Sequence, residues 1–476
     1  MVNDQQTNQA GGSFNKVPLL IVLISGAFVA ILNQTLLATA LPHIMADLQL
    51  DANVAQWLQS IFMLVNGIMI PITAFLIGRF TTRGLFLTAM GVFALGTVIC
   101  AIAPNFGFLM VGRIAQAAGA GIIMPLMQTI LFLIFPIEKR GSAMGMFGLI
   151  IAFAPAIGPT LSGWLVEQFP WRSLFYVILP IVILDIIVAY FILKNITKRT
   201  FPKLDILSII LSTLGFGGLL YGFSTAGNSG WASIQVVASM VVGAIALTWF
   251  IIRQLKLEQP ILEFRIFKYK VFTLTTALGM VVFVAMIGGA VILPLLMQNM
   301  LGFTAFESGL MLLPGALLMG IMNPITGKLF DKFGARWLAI IGLSMVVITT
   351  FMFTNLDAQT TFWYLAIVNV FRMAGVAMVM MPVTTAGLNQ LPSDLIPHGT
   401  AMNNTMRQVA GAVGTALLVT VMTTSAIPDQ GINGMIHGVN VSFIVAGITA
   451  IIGLVLAFFI KNSRPEGEGK KIKIGR

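Results

Sequence analysis

Fourteen long apolar runs separated by short polar loops constrain the fold of this chain more than any other feature. Each run is about twenty residues or longer, the length at which an α-helix crosses the hydrocarbon core of a bilayer. The chain is 58% hydrophobic and only 9% charged, whereas soluble domains carry about a quarter charged residues. The sequence therefore predicts an all-α integral membrane protein. The runs start at Val17 and then cover, approximately, 54–77, 84–103, 107–131, 141–163, 173–193, 204–224, 233–253, 271–297, 309–327, 337–355, 361–385, 401–424 and 440–460.

The distribution of basic residues predicts the orientation of the helices. A net charge of +11 could indicate nucleic-acid binding, but the lysines and arginines fall in alternate loops and in the C-terminal tail, and the opposite loops hold only Arg172. This is the positive-inside pattern of membrane proteins. We expect a multi-pass plasma-membrane protein with both termini in the cytoplasm, surrounded by the lipid bilayer, monomeric and without a nucleic-acid partner.

The fifth run carries small residues on one helical stripe. They alternate three and four positions apart, so they lie along one side of a helix that is otherwise apolar all round. Two of them are prolines, which remove backbone hydrogen bonds that lipid cannot replace. The stripe therefore predicts close contact with another helix, at a hinge or seam inside a transport protein. Its members are Gly141, Gly145, Gly148, Ala152, Pro155, Pro159 and Ser162.

Three patches of the first half reappear in the second half. Residues 74–83 are repeated as 327–336, Arg113 as Arg372, and 140–144 as 398–402, all 253 to 259 residues later. Near-equal spacing indicates a duplicated unit of six helices. The predicted organisation is a tail at 1–17, a six-helix bundle at 18–193, an inserted helix pair with linkers at 194–270, a second six-helix bundle at 271–460 and a basic tail at 461–476.

These motifs resemble the major facilitator superfamily. Gly327-x-x-x-Asp331-Lys332-x-Gly334-x-Arg336 is similar to its cytoplasmic loop signature, and Leu109-x-x-x-Arg113-x-x-Gln116-x-x-Gly119-x-Gly121 is similar to its helix-4 signature. The resemblance implies the major facilitator fold, in which two six-helix bundles surround a central cavity. It also implies transport by rocking of one bundle against the other.

Further motifs resemble the drug:proton antiporters with fourteen helices. Gly158-Pro159-x-x-Ser162-Gly163 is similar to the antiporter signature of helix 5, although Ser162 replaces a glycine. The segments 32–36 and 407–414 resemble those of the lincomycin-resistance exporters within that group. The resemblance implies an antiporter helix that includes Gly148, Pro155, Gly158, Pro159 and Gly163.

Two positions depart from the family pattern. The first copy of the loop signature has Gly78 where the family has aspartate, so only Asp331 of the second copy can make that carboxylate's contacts. Asn33 stands where many relatives carry an aspartate in the first helix. We therefore expect a preference for neutral or weakly basic amphiphiles over strongly cationic drugs.

Charged residues inside the spans are the first candidates for function. An unpaired arginine at a helix centre costs about 2.5–3.5 kcal/mol on insertion scales, so Arg113, Arg372 and Arg407 indicate either a functional site or hydrogen bonds that hold helices together. Asp185 is a lone carboxylate in an apolar run, as a proton carrier requires, or it is paired with an arginine. The predicted proton-coupling residues are Asp185, Glu307 and Arg113.

Polar side chains within the spans are candidates to line a substrate cavity, and each of them could instead join two helices by a hydrogen bond. The candidates are Asn33, Gln34, Arg113, Gln116, Gln128, Gln298, Asn369, Arg372, Asn403, Asn404 and Arg407. A carboxylate beside basic residues and helix ends can also form a bistable latch on the cytoplasmic side, although the basic residues could serve orientation alone. The predicted latch comprises Arg79, Arg83, Gly327, Asp331, Lys332, Gly334 and Arg336.

The expected function is export of amphiphilic drugs, lincosamide-like or otherwise neutral to weakly basic, in exchange for protons. A lipid flippase or an exporter of a cellular metabolite is an alternative, because an apolar cavity does not distinguish these substrates from drugs. A membrane sensor that retains the fold without transport is a second alternative. No nucleophile–base cluster, phosphate-binding loop or metal-ligand spacing occurs in the sequence, so we expect neither an enzyme nor a cofactor or metal.

Overall fold

The computed structural model describes residues 16–197 and 199–460. The predicted basic tail at 461–476, and all but the last two residues of the predicted tail at 1–17, lie outside these ranges. The described part contains fourteen α-helices long and apolar enough to cross a membrane, which confirms the predicted number, and it contains no β-strand. The helices are α1 (Lys16–Leu48), α2 (Ala52–Arg79), α3 (Thr82–Ala101), α4 (Phe106–Ile134), α5 (Arg140–Gln168), α6 (Ser173–Ile192), α7 (Ile206–Ser229), α8 (Ile234–Lys256), α9 (Lys270–Asn299), α10 (Ala305–Phe333), α11 (Ala335–Met352), α12 (Phe362–Leu388), α13 (Ile396–Thr424) and α14 (Gly431–Phe458).

Several helices are longer than the apolar runs that predicted them, because polar residues continue and cap them. Helix α10 begins four residues before the predicted run, at a capping box in which Thr304 Oγ1 accepts from the Glu307 N–H (3.1 Å) and the Glu307 carboxylate accepts from the Thr304 N–H (2.8 Å). It continues to Phe333 and ends at Gly334, whose φ of +78° suits glycine. Hydropathy locates the lipid-spanning centre of such a helix but not its polar ends.

Loop contacts sort the helix termini into two ends of the molecule. At one end, Thr200 N–H donates to Gly78 O (3.0 Å) and the Arg253 guanidinium binds the Asp205 carboxylate (2.8 Å). At the other end, Arg172 binds Asp47 (2.9 Å). We call the first the basic end, because the basic loops after α2, α4, α6, α8 and α10 lie there, and the second the opposite end.

The helices pack as two groups with a pair beside them. Helices α1–α6 pack among themselves, as do α9–α14. Helix α7 packs along α8 and contacts both α2 of the first group and α13 of the second. The two groups meet where α5 packs along α10, with further contacts of α2 and α4 with α13 and of α5 with α12. This seam positions many of the candidate residues of the functional site.

Candidate functional site: the seam between the helix groups

The first half of the small-residue stripe lies against α10. A Cβ atom on Gly141 would lie 2.5 Å from Gly327 O, and one on Gly145 would lie 2.5 Å from Asn323 O. These are backbone contacts, so the neighbouring atoms cannot move aside as a flexible side chain would. Asn323 Nδ2 also donates to Gly148 O (2.8 Å). Glycine on both helices therefore permits a tight seal between the groups at the basic end.

Asp331 fastens this seal by binding the first turn of α5. Its Oδ1 accepts from the Gly141 N–H (2.8 Å), and its Oδ2 accepts from the Ser142 N–H (2.8 Å) and hydroxyl (2.5 Å). The first N–H groups of a helix have no partner within the helix, and the helix dipole favours an anion there. In addition, Arg140 Nη1 at the start of α5 donates to Oδ1 of Asn389, the residue that follows α12 (3.1 Å).

The other predicted latch residues lie at the same end, but the structure does not pair the basic ones with Asp331. The Arg79 guanidinium lies 5.9 Å from the ring centre of Phe201, and Arg83 lies 4.4 Å from that of Tyr190. Lys332 lies near Phe333, and Arg336 Nε has no hydrogen-bond partner. The partners of Asp331 are therefore peptide N–H groups and a hydroxyl rather than a guanidinium, and the latch stays a prediction.

Two of the predicted cavity residues join the groups across the seam. Asn404 Nδ2 donates to Gln128 Oε1 (2.7 Å), and the neighbouring hydroxyls of Thr129 and Thr400 share a hydrogen bond (2.8 Å). These links connect α4 with α13, near the Asp331 contact. In this conformation Gln128 and Asn404 help to close the seam at the basic end.

The second half of the stripe turns to a different neighbour. A Cβ on Gly158 would meet Thr35 of α1, and Ser162 Oγ donates to Leu36 O of the same helix (2.6 Å). A Cβ on Gly163, or on Gly309 of α10, would have no atom within 4 Å. Helix α5 is thus tightly packed on α10 toward the basic end, whereas the second half of its stripe packs on α1. Pro155 and Pro159 lie in this second half, both half-buried.

Arg113 is buried in a polar network inside the first group. Its Nε donates to Leu58 O (3.2 Å), its Nη1 donates to Gln116 Oε1 (3.0 Å), and its guanidinium lies 4.3 Å from the centre of the Phe62 ring. Gln116 Nε2 in turn donates to Asn33 Oδ1 (3.4 Å) and, more closely, to Thr97 Oγ1 (2.9 Å). Three of the predicted cavity residues, Asn33, Arg113 and Gln116, therefore bind one another between helices.

Arg372 and Arg407 are buried in the second group. Arg372 Nη2 donates to Asn369 Oδ1 at 3.5 Å, beside Gly289. Arg407 Nη2 donates to Thr384 Oγ1 and to Met380 O (3.3 Å). Among the described residues, none of the three buried arginines pairs with a carboxylate.

The two acidic candidates occupy different surroundings. Asp185 of α6 is buried and accepts from the Ser25 hydroxyl of α1, while its Oδ2 has no partner. Glu307 belongs to the capping box at the exposed start of α10, where it orders the helix terminus. The structure therefore separates Asp185 and Glu307 from each other and from Arg113. Asp185 alone has the burial expected of a group that carries a proton through a membrane.

Two more of the predicted cavity residues differ in their exposure. Gln34 is half-buried, and Gln298 is exposed at the end of α9 near the opposite end.

The sequence did not predict the partners that these buried residues bind, because each partner is an ordinary polar residue on another helix or loop. For Ser142 alone the sequence held a signal, because residues 140–144 are repeated at 398–402. The missed partners are Ser25, Ser142, Asn323, Thr384 and Asn389.

Comparison with known proteins identifies the family. The family model described as "Major Facilitator Superfamily" matches residues 23–415. This chain belongs to that superfamily. It is 57% identical to the uncharacterized MFS-type transporter YcnB of Bacillus subtilis, over 96% of this chain and 97% of YcnB. It is 42% identical to the lincomycin resistance protein LmrB of the same organism, over 96% and 98% of the two chains.

More distant matches agree with this assignment. The multidrug export protein EmrB of Haemophilus influenzae is 29% identical, over 84% of this chain and 79% of EmrB. The crystal structure of the human organic anion transporter MFSD10 has a TM-score of 0.68 at 13% identity, covers 93% of this chain and confirms the fold. The relationship to LmrB and EmrB confirms the resemblance seen in the motifs. The chain is thus a multi-pass membrane transporter of this superfamily with fourteen spans, and not an enzyme.

Proposed function

We propose that this transporter exports amphiphilic drugs across the plasma membrane in exchange for protons, with its basic end and both termini in the cytoplasm. The observation that carries the proposal is the seam, which is sealed at the basic end by glycine packing and by the Asp331 contact. A transporter that alternates access must form and break such a seal. The positive-inside rule favours a cytoplasmic location for that end, so the transporter would be closed on its cytoplasmic side in this conformation.

The substrate class rests on the relatives and on the charge of the interior. LmrB is named for lincomycin resistance and EmrB for multidrug export. In the first group the position that many relatives fill with aspartate is Asn33, which is buried and bound to Gln116. A cavity without this carboxylate favours neutral or weakly basic amphiphiles over dications. A panel in which dications are the better substrates would contradict this part.

Asp185 is the proposed proton carrier, with Glu307 and Arg113 as further coupling candidates. The carboxylate has a neutral partner, Ser25, and an oxygen without a partner. Proton uptake would remove its charge from the apolar interior and thereby change how α6 and α1 pack. Latch opening at Asp331 would then accompany the change of access.

The test is drug flux in proteoliposomes with and without an imposed pH gradient. We expect gradient-driven flux of a lincosamide and other neutral amphiphiles by the wild type, its loss in Asp185→Asn, and its retention in Asp429→Asn, a matched change at an exposed loop carboxylate. Normal coupling in Asp185→Asn would exclude Asp185 as the carrier, and Glu307→Gln would be tested next.

Three other outcomes separate the alternatives. Movement of labelled lipid without drug flux would identify a flippase. Flux of a cellular metabolite alone would identify a metabolite exporter. Saturable drug binding without any flux would identify a sensor that retains the fold.

A further inference from the structure

The two linkers that flank the inserted pair α7–α8 are attached to different helix groups. The linker before α7 is bound to the first group at the basic end. The Thr82 hydroxyl at the start of α3 accepts from the N–H groups of Ile196 and Thr197 (both 3.1 Å). The Gly78 carbonyl of α2 accepts from the Thr200 N–H (3.0 Å). These bonds hold the linker on α2 and α3 as far as Thr200.

This attachment ends just before α7. Phe201 has a φ of +49°, in the left-handed region that residues other than glycine seldom adopt. Lys203 and Leu204 lie outside any helix, are exposed, and make no hydrogen bond among the described residues. Helix α7 then begins at Ile206, behind its cap Asp205. The connection between the first group and the inserted pair is therefore weakly constrained at residues 203–204.

The linker after α8, residues 257–269, is folded against the pair itself. Gln254 Nε2 of α8 donates to Ser208 Oγ of α7 (2.6 Å), and Gln254 Oε1 accepts from the Ile261 N–H of the linker (2.7 Å). Arg265 Nη2 of the linker donates to Leu255 O of α8 (2.7 Å). These hydrogen bonds join α7, α8 and the second linker into one unit.

This unit is bound to the second group at both ends of the molecule. At the basic end, His398 Nδ1 in the first turn of α13 accepts from the Glu263 N–H of the linker (3.3 Å). The short helix Phe264–Lys268 of the same linker contacts α9. At the opposite end, Trp231 Nε1 in the loop between α7 and α8 donates to Thr420 Oγ1 of α13 (2.7 Å). Polar contacts thus fix the unit to α13 at two distant points.

The contact between α7 and α2 of the first group is made by aromatic and aliphatic side chains. The rings of Trp57 and Tyr221 stack with their centres 5.6 Å apart. A Cβ on Gly67 of α2 would lie 2.5 Å from Leu220 Cδ1 of α7. Apolar contacts are non-directional, so two such surfaces can slide past each other at less cost than surfaces joined by hydrogen bonds.

Helix α7 lies beside the line where α2 meets α13. The Cβ built on Gly67 that faces Leu220 is also 3.5 Å from Gln408 Cγ of α13, so the three helices meet there. The seam behind this line holds polar contacts between the groups, including the bond from Asn404 to Gln128 (2.7 Å). Polar groups that lose their partners beside lipid are costly. A helix that stays over this line keeps lipid away from them.

We propose that the inserted pair is a lateral cover carried by the second helix group. Helix α7 stays fixed to α13 and slides along α2 when the groups rock, and residues 203–204 form the hinge. The contacts at Trp231 and His398 hold the cover on α13, and the apolar face toward α2 permits the movement. This assigns a role to the inserted pair, and it rests on the chain being a transporter that alternates access.

The first test links α7 to one neighbour at a time with a short bis-maleimide, in a Cys100→Ser background. One variant combines Trp231→Cys with Thr420→Cys, and its matched control combines Trp57→Cys with Tyr221→Cys. Linking to α13 should leave drug flux in proteoliposomes at the level of the same variant before linking. Linking to α2 should reduce flux about tenfold or more, because α2 can no longer slide. The reverse pattern, equal losses, or full flux with both links would overturn the proposal.

Distances between spin labels provide a second measurement, which does not depend on transport. Labels replace three exposed residues: Leu95 of α3, Val241 of α8 and Ile348 of α11. The distance from 95 to 348 reports rocking of the groups, and we expect it to change with pH or on addition of a lincosamide. The distance from 95 to 241 should change with it, and the distance from 241 to 348 should stay constant.

A change between 241 and 348 as large as that between 95 and 348 would show that the pair does not move with the second group. A constant distance from 241 to 348 in a protein that rocks but moves no drug would contradict the proposed function and support the cover.

Discussion

At the basic end, the last turn of α10 and its repeat in the last turn of α2 occupy related positions in the two helix groups but make different contacts. Asp331 of the second copy binds the first turn of α5 across the seam. Gly78 of the first copy instead accepts from Thr200 in the linker before the inserted pair. The Asp331 carboxylate therefore joins α10 to α5 across the seam, whereas the matching position of α2 is hydrogen-bonded to the linker.

This difference shows how a duplicated unit can acquire an asymmetric seal. A carboxylate on a helix terminus forms a charge-assisted contact that can be made and broken as the groups rock. The glycine carbonyl on the other side gives a neutral contact with the chain's own linker. Three variants test the contribution of the α5–α10 contacts to the seal, and a fourth tests the ion pair of the inserted helices.

The largest effect is expected from Gly145→Val. Backbone atoms of α10 lie 2.5 to 2.9 Å from a Cβ at this position, so the seal cannot close around a valine without helix movement. We expect transport to fall about tenfold or more. A cysteine placed at position 129, where Thr129 is buried in the seam, should also be alkylated faster, because an open seam admits the reagent. The cysteine is introduced in a Cys100→Ser background. Gly91→Val on α3, where a Cβ also meets nothing, should retain near-normal transport.

Asp331→Asn should have the next largest effect. The amide keeps the size of the side chain but removes the charge that favours the N–H groups of Gly141 and Ser142. The sealed conformation should lose about tenfold in population, the equivalent of about 1.4 kcal/mol. The same alkylation assay measures this change, with Asp429→Asn as control. An unaltered alkylation rate in Asp331→Asn would show that Asp331 does not stabilise the sealed conformation.

Adding Gly78→Asp to Asp331→Asn should not restore the seal. A Cβ at position 78 would lie 2.9 Å from Thr200 Oγ1, so an aspartate there would meet the linker rather than a helix terminus. We expect the double variant to be as open as Asp331→Asn and slightly less stable to heat, by about 1 kcal/mol or less. Recovery of slow alkylation would show instead that the two repeats are interchangeable.

The smallest effect concerns the inserted pair, where Asp205 caps α7 and binds Arg253 of α8. The hydrogen bonds from Arg253 and Ser208 hold the pKa of Asp205 below its ordinary value, against a smaller opposing effect of burial. The contact therefore stabilises the fold above the ordinary carboxylate pKa and is lost as pH falls below about 4. For this half-buried pair at the protein surface we expect about 1 kcal/mol or less.

Thermal unfolding of wild type and Asp205→Asn between pH 3 and pH 7 measures that contribution. The two proteins should differ at neutral pH and converge at the acidic limit. A difference that grows on acidification would contradict the sign derived from Asp205, and a difference many times larger would mean that the inserted pair bears directly on the stability of both groups.

The sequence by itself determined the number of spans, the repeat and the family. Span length and hydropathy are properties of a continuous segment in contact with lipid, so they can be read locally. The loop and helix signatures identified the superfamily through residues that lie close together in the chain. The sequence also predicted a latch with Asp331 as its carboxylate, because Gly78 occupies the matching position of the first copy, and that role stays a prediction.

Only the tertiary structure decided which partners the buried polar residues bind. A buried arginine must satisfy its donors, but residue type does not say whether Leu58 O, Thr384 or a carboxylate will do so. The stripe on α5 likewise predicted one close neighbour, and the structure divides it between α10 at Gly141–Gly148 and α1 at Gly158 and Ser162. The stripe contacts join residues more than 100 positions apart, and all of these contacts depend on the rotation and crossing of helices that are each stable in lipid before they pack.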